Sequence, residues 1–178
     1  MQRAAIAVVE YLLGFFALAV FAAFVFAAGP PTTDRWVLAF KLGACLAAIE
    51  LLVLVMRTSP ANRLIVGANL WLFIGGIAAF SQQWWLLQTY ERYGEASLFA
   101  TMLGVGLVAT VAFPGGFVAA AGPRHKVMLA SLALLAAVAG AMALAITYKG
   151  NIKVAAVYPV IALAWLNRAL RQYAQSGA

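Results

Sequence analysis

Six long apolar runs, each closed by charged, glycine or proline residues, constrain this chain more than any other feature. They cover residues 4–28, 36–56, 64–85, 96–121, 127–147 and 152–167. A helix crosses the hydrocarbon core of a bilayer with about 20 apolar residues, at 1.5 Å of rise per residue, and most of these runs qualify. The short polar stretches between them leave no room for a soluble domain, so consecutive helices must be antiparallel neighbours. The expected fold is all-α: a six-helix transmembrane bundle with short loops, forming a single transmembrane domain over residues 1–178.

Composition agrees. Of the 178 residues, 66% are hydrophobic and 10% are charged, whereas a soluble domain carries about 45–50% and about 25%. The net charge of +7 does not signal nucleic acid, because the cations stand singly or in pairs at the ends of apolar runs, as membrane-flanking anchors do. Cys45 is the only cysteine and lies inside an apolar run; it reads as a small buried hydrophobe. The first run opens after Arg3 and ends in small residues, like a secretory leader. At about 25 residues it exceeds the apolar region of such a leader, and it contains Glu10, so a retained first helix is expected.

Charge also sets sidedness. With the N-terminus inside and six crossings, Arg3, Arg57, Arg63, Arg124, Lys126, Arg168 and Arg171 share one face. Arg35, Arg92, Lys149 and Lys153 take the other, with Lys41 near them. That bias places both termini in the cytoplasm. The sixth run is the least regular, since its uninterrupted part, Val154 to Leu166, contains Pro159. A five-crossing chain would put Arg168 and Arg171 on the wrong side. Phe24–Pro30 and Phe117–Pro123 end similarly, a faint echo of two halves with opposite orientation.

Glu10 and Glu50 are the only acidic residues within the runs. Each lies about six residues from the cytoplasmic boundary, or ~9 Å along a helix. Asn69 reaches nearly that depth, and Ser131 is slightly shallower. Arg3, Ala7, Glu10, Gly14 and Ala17 share one helical stripe; Gly43, Ala47, Glu50, Leu54 and Arg57 share another. Small residues beside each glutamate turn these stripes toward other helices. An ionised carboxylate in lipid costs ~2.5–3.5 kcal/mol on insertion scales. Each glutamate is therefore expected to be protonated, paired, or open to a water-filled cavity. The layer Glu10, Glu50 and Asn69 is the candidate site; the alternative is a neutral glutamate bonded across helices to hold the bundle together.

Thr110, Pro114, Gly115 and Gly116 form a candidate helix break, because Pro114 frees the Thr110 carbonyl and favours a kink. Close packing through small residues explains the same pattern. Trp36, Trp84, Trp85, Tyr90, Tyr93 and Tyr148 gather at the outer boundary and read as an interfacial belt. Gln82, Gln83, Trp84 and Trp85, with Gln88, Glu91, Arg92 and Glu95 nearby, are the candidate outer mouth. Lys41 is expected to reach along its helix toward Asp34.

The absences narrow the function. The only histidine, His125, lies in a loop, which excludes a bis-histidine haem within the membrane. No cluster of His, Cys or Asp fits zinc, and no phosphate-loop, dinucleotide or serine-nucleophile motif is present. No cofactor is called for. The expected partners are the lipid bilayer and, through the small-residue faces, a second copy or another membrane protein. Three functions follow in order: a small-solute or ion transporter or its membrane-embedded binding subunit, an accessory subunit of a larger complex, and a lipid-modifying enzyme using Glu10 and Glu50 as an acid–base pair. The last has neither nucleophile nor metal. A bacterial inner membrane is the expected location.

Overall fold

The computed structural model describes residues 14–26, 32–56 and 60–176. Among them are seven α-helices and no strand: α1 (Phe16–Phe26), α2 (Thr33–Met56), α3 (Arg63–Phe80), α4 (Trp84–Tyr93), α5 (Ala96–Ala112), α6 (Arg124–Thr147) and α7 (Tyr158–Gln175). A π-helical turn, Lys153–Val157, leads into α7. Four helical stretches are long and apolar enough to cross a membrane: Thr33–Met56, Arg63–Phe80, Arg124–Thr147 and Lys153–Gln175. They become five if α4 and α5, bent by 101° at their junction, form one broken span. The chain is thus a multi-pass helical membrane protein with four or five candidate spans among the described residues. Residues 4–13 and 27–28 of the first apolar run lie outside them.

Along α2, most large residues face outward and, apart from Phe40, small ones face inward. On α2, Leu38, Leu42, Ile49, Leu52, Val53, Val55 and Met56 are exposed, while Ala39, Phe40, Gly43, Ala44 and Ala47 are buried. Lipid tails solvate leucine as well as another helix does, so association rests on close approach through small residues. Cys45 falls on the outward face. The buried position expected for it is incorrect, because its neighbours Ala44 and Ala47 occupy the packed stripe.

Three run boundaries differ from expectation. The third span was expected over residues 64–85, apolar to Phe80 and mixed from Ser81 to Trp85, and α3 stops at Phe80. Ser81 donates its N–H to Ile77 O at 2.8 Å, Gln83 donates to Ala78 O at 2.9 Å, and Gln82 takes a left-handed φ of 56°. That conformation ends helices, and Trp84 and Trp85 start a separate helix.

The fourth run was expected to extend to Ala121, but α5 ends at Ala112. Phe113 is extended (φ −119°, ψ 140°) because the ring of Pro114 disfavours helical geometry in the residue before it. Proline here terminates the helix rather than kinking it. The chain then folds into a non-helical segment in which Phe117, Val118, Ala119 and Ala120 are buried. Such backbone is tolerated at membrane depth only inside protein. Its own bonds serve it: Gly116 N–H to Phe113 O (3.0 Å), Ala119 N–H to Gly116 O (3.3 Å) and Ala120 N–H to Gly115 O (3.1 Å). Of the echoing segments, residues 27–30 lie outside the described residues; Phe24–Phe26 are helical and Phe117–Ala119 are not.

The sixth run was expected to close at Asn167, yet α7 continues to Gln175. The π turn shifts bonding by one residue, with Tyr158 N–H donating to Lys153 O, immediately before Pro159, which has no N–H to give. The helix is held at its end by Arg171, which donates from Nη2 to Ala119 O at 3.1 Å, and by Lys126 Nζ donating to Ser176 O at 3.1 Å.

The chain divides into two compact units, Met1–Arg57 with Ala68–Thr89, and Thr58–Gly67 with Tyr90–Ala178. In the first, α1 and α2 pair, and an aromatic cluster joins Phe21, Phe40 and Trp71 at centroid separations of 4.8–5.2 Å. Trp36 extends this cluster, 5.6 Å from Phe21 and 5.8 Å from Phe40, so it is a packing residue as much as a belt residue. In the second unit, α5 and α7 both pack on α6. Gly116 seats the non-helical segment there: its φ is +55°, and a Cβ would overlap Ser131 Oγ and lie 2.9 Å from Val127 Cγ1. Gly116→Ala is expected to cost about 1–3 kcal/mol through backbone strain and overpacking, measured as lost thermal stability in detergent. Adding Ser131→Gly should recover only the steric share.

Candidate functional site

Glu50 lies on α2 in the stripe with Gly43 and Ala47, both buried. That stripe packs against neighbouring helices: a Cβ at Gly43 would come within 3.1 Å of Leu72 and 3.5 Å of Phe21. The half-buried Glu50 carboxyl is held from two sides. Its Oε1 accepts the Ala17 backbone N–H at 3.0 Å, and its Oε2 accepts Asn69 Nδ2 at 2.7 Å. Ala17 lies in the first turn of α1, where N–H groups lack partners inside the helix and the helix dipole favours negative charge.

Asn69, on α3, is 0% exposed. Its Nδ2 serves Glu50, while its Oδ1 is buried without a hydrogen-bond partner. A buried amide oxygen left without a donor is costly. Here it lies on the same group that touches an intramembrane carboxyl. Both contacts to Glu50 use its oxygens as acceptors, and a carboxylate has further lone pairs beyond these two.

The structure therefore brings Glu50 and Asn69 together. Glu10, Arg3 and Arg57 lie outside the described residues. Ser131, read as part of the same layer, belongs to the other unit; it is fully buried against Gly116, and its Oγ has no partner. No group of three or more His, Cys, Asp or Glu that could hold a metal occurs among the described residues.

The candidate break residues sit at the end of α5. Thr110 donates its hydroxyl to Gly106 O at 2.7 Å. With Phe113, Pro114, Gly116, Arg124, Val127 and Met128 it lines a shallow cleft; Gly115 is half-buried beside it. Gln82, Gln83, Trp84 and Trp85 are all exposed, with Trp85 Nε1 donating to Gln83 Oε1 at 2.9 Å. Of the expected belt, Trp84, Trp85, Tyr93 and Tyr148 are exposed and Tyr90 is buried. Lys41 does not pair with Asp34 among the described residues; its ammonium lies over the Phe80 ring, 5.4 Å from the centroid.

A second polar cluster escaped the sequence reading, which took Arg63 and Arg171 as flanking anchors and Asn167 as the end of a run. Asn167 Nδ2 donates to Asn62 Oδ1 at 3.1 Å, and the same oxygen accepts Leu64 N–H at 3.1 Å, capping α3. The Arg63 guanidinium stacks on Phe113, 4.7 Å from the ring centroid. The available signal was the recurrence of Asn-Arg at two run boundaries, 62–63 and 167–168. No protein family, curated protein or solved structure matches this chain.

Proposed function

We propose that this protein is a small-solute or ion carrier of a bacterial cytoplasmic membrane, with Glu50 and Asn69 as its proton- or cation-binding pair. The observation that carries this reading is the intramembrane Glu50 carboxyl, gripped by a helix N-terminus and by a fully buried amide with a spare oxygen. Asn69 can serve two states of its neighbour. It donates from Nδ2 to an ionised carboxylate, and by turning its amide it offers Oδ1 to a protonated carboxyl or to a cation shared with Glu50. Loading and release would then reorganise contacts among α1, α2 and α3, all of which meet at this point. The six-crossing topology with both termini cytoplasmic belongs to the same proposal and rests on the charge bias of the flanks.

Purified protein in liposomes adsorbed on a sensor surface tests it. A pH jump or a sodium jump should give a transient charge displacement in the wild type. Glu50→Gln, taken from the monodisperse fraction, should lose it. An undiminished signal in that variant would remove Glu50 from any transport path and leave it a packing role.

A further inference from the structure

Within the unit Thr58–Gly67 with Tyr90–Ala178, charge is divided between two ends. Helix α6, 24 residues long, separates them by about 36 Å. The unit's only acidic residues, Glu91 and Glu95, belong to the end where Lys149 Nζ donates to Arg92 O at 2.7 Å and the Lys149 stem lies against Gly94. The other end holds Arg63, Arg124, Lys126, Arg168 and Arg171 and, among the described residues, no carboxylate. Contacts already described gather it: Lys126 reaches Ser176 O, Arg171 reaches Ala119 O, and Arg63 lies on Phe113. Phe113 in turn shares a cleft with Arg124.

Two of these arginines are fixed with donors to spare. Arg63 is oriented by the Phe113 ring; Arg171 follows one helical turn after Asn167, on the face that bonds Asn62, and reaches Ala119 O in the segment that begins at Phe113. Crowding two like charges in partly desolvated surroundings is unfavourable unless an anion shares them. Arg63 Nη1 is buried and has no partner, and the same holds for Asn62 Nδ2. The direction of that amide is set from behind, because Asn62 Oδ1 is already engaged by Leu64 N–H and by Asn167, which is only 2% exposed. The arrangement offers aimed donors and two cations, and the one side-chain acceptor left over in it is Asn167 Oδ1, also buried without a partner.

We propose that Arg63, Arg171 and the Asn62 amide form a binding site for a phosphate group, with Asn167 as its positioning residue. Guanidinium groups fork onto phosphate oxygens, and a tetrahedral phosphate accepts from several donors at once. Two cations facing one group favour a doubly charged phosphate monoester over a singly charged diester. Arg63 opens α3 and Arg171 lies near the end of α7, so the site stands at the end of two candidate spans, the level of lipid headgroups. The phosphate then comes either from a lipid head or from solution.

The test is thermal unfolding of the purified chain with inorganic phosphate, with sulfate or chloride at equal ionic strength, and in mixed micelles of phosphatidic acid, phosphatidylglycerol or phosphatidylcholine. Stabilisation by phosphate beyond the other salts identifies a soluble source; stabilisation confined to phosphatidic acid, with co-purifying lipid seen by native mass measurement, identifies a headgroup. Arg63→Gln and Arg171→Gln should each weaken the effective ligand about tenfold or more, while the exposed Arg168→Gln should change it less than about twofold. Asn167→Ala should weaken binding while leaving the preference for monoester over diester intact. If Arg63→Gln does not fold, Arg171→Lys, which keeps charge but loses the fork, provides the comparison. No anion-specific stabilisation, or equal effects of Arg63→Gln and Arg168→Gln, would overturn the proposal and leave these donors hydrated only.

Discussion

Gly76→Val is expected to be the most damaging single substitution in the first unit. A Cβ at this position would overlap the Ala44 Cβ and lie 2.9 Å from Phe40 O. Both atoms are fixed to the α2 backbone, so neither can swing aside, and α2 and α3 must separate. Interiors are packed too tightly to absorb this, and inserting carbon into such a contact costs about 1–3 kcal/mol or more. The aromatic cluster lies at the same contact, because Phe40 and Trp71 sit on these two helices 5.2 Å apart. Separation therefore loosens two tryptophan environments together with the backbone contact. The expected result is a lower unfolding temperature, by ~2–4 °C for each kcal/mol, with altered tryptophan fluorescence in detergent. Gly76→Ala should show a smaller loss, and Ala44→Gly in the same chain should restore most of it. Gly140→Ala is the control, since nothing lies within 4 Å of a Cβ there. Equal stability of Gly76→Val and wild type would show that the helices do not meet at this residue.

Exchanging the two polar partners gives the second large effect. Glu50 offers two acceptor oxygens to two donors, Ala17 N–H and Asn69 Nδ2. Glutamine at 50 keeps one oxygen and turns the other position into a donor, so the pair survives only if Asn69 turns its amide, which leaves the buried Nδ2 donor without its partner. A buried polar group without its partner costs about 1–3 kcal/mol. Glu50→Gln alone should therefore lose stability by this order. Combining it with Asn69→Asp reverses the polarity: the glutamine amide donates to the new carboxylate, and its oxygen still accepts from Ala17. The double variant should recover most of the loss, and a thermodynamic cycle should give a coupling of about 1 kcal/mol or more. Additive losses would indicate that the 2.7 Å contact has no energetic weight. The cycle also separates roles, because stability returns with the swap whether or not the charge displacement does.

Much of the architecture was legible before any coordinate. The helical membrane class follows from runs that no soluble core of this size could bury, and counting residues inward from flanking charges set Glu50 and Asn69 at one level, together with Glu10 and nearly with Ser131. The ends of runs were less legible. Trp85, Ala121 and Asn167 were each taken as a boundary and each is displaced, because hydropathy does not distinguish an apolar helix from an apolar coil buried in protein. Phe117–Ala120 is such a coil, and its cause, Pro114 acting on Phe113, read equally well as a kink. Lys41 shows the same ambiguity: spacing allowed Asp34, and a ring from another helix took the ammonium instead.

The sequence by itself determined which solvent this protein must live in. Transfer into lipid is a property of each segment's own side chains and needs no knowledge of neighbours. Only the tertiary structure decided which polar groups meet. Asn62 and Asn167 stand 105 residues apart, and Asn69 and Ser131, similar in expected depth, belong to different units. Partnership depends on how each helix is rotated about its axis and how closely glycine and alanine let it approach. Those quantities arise from packing between segments, which no single segment encodes.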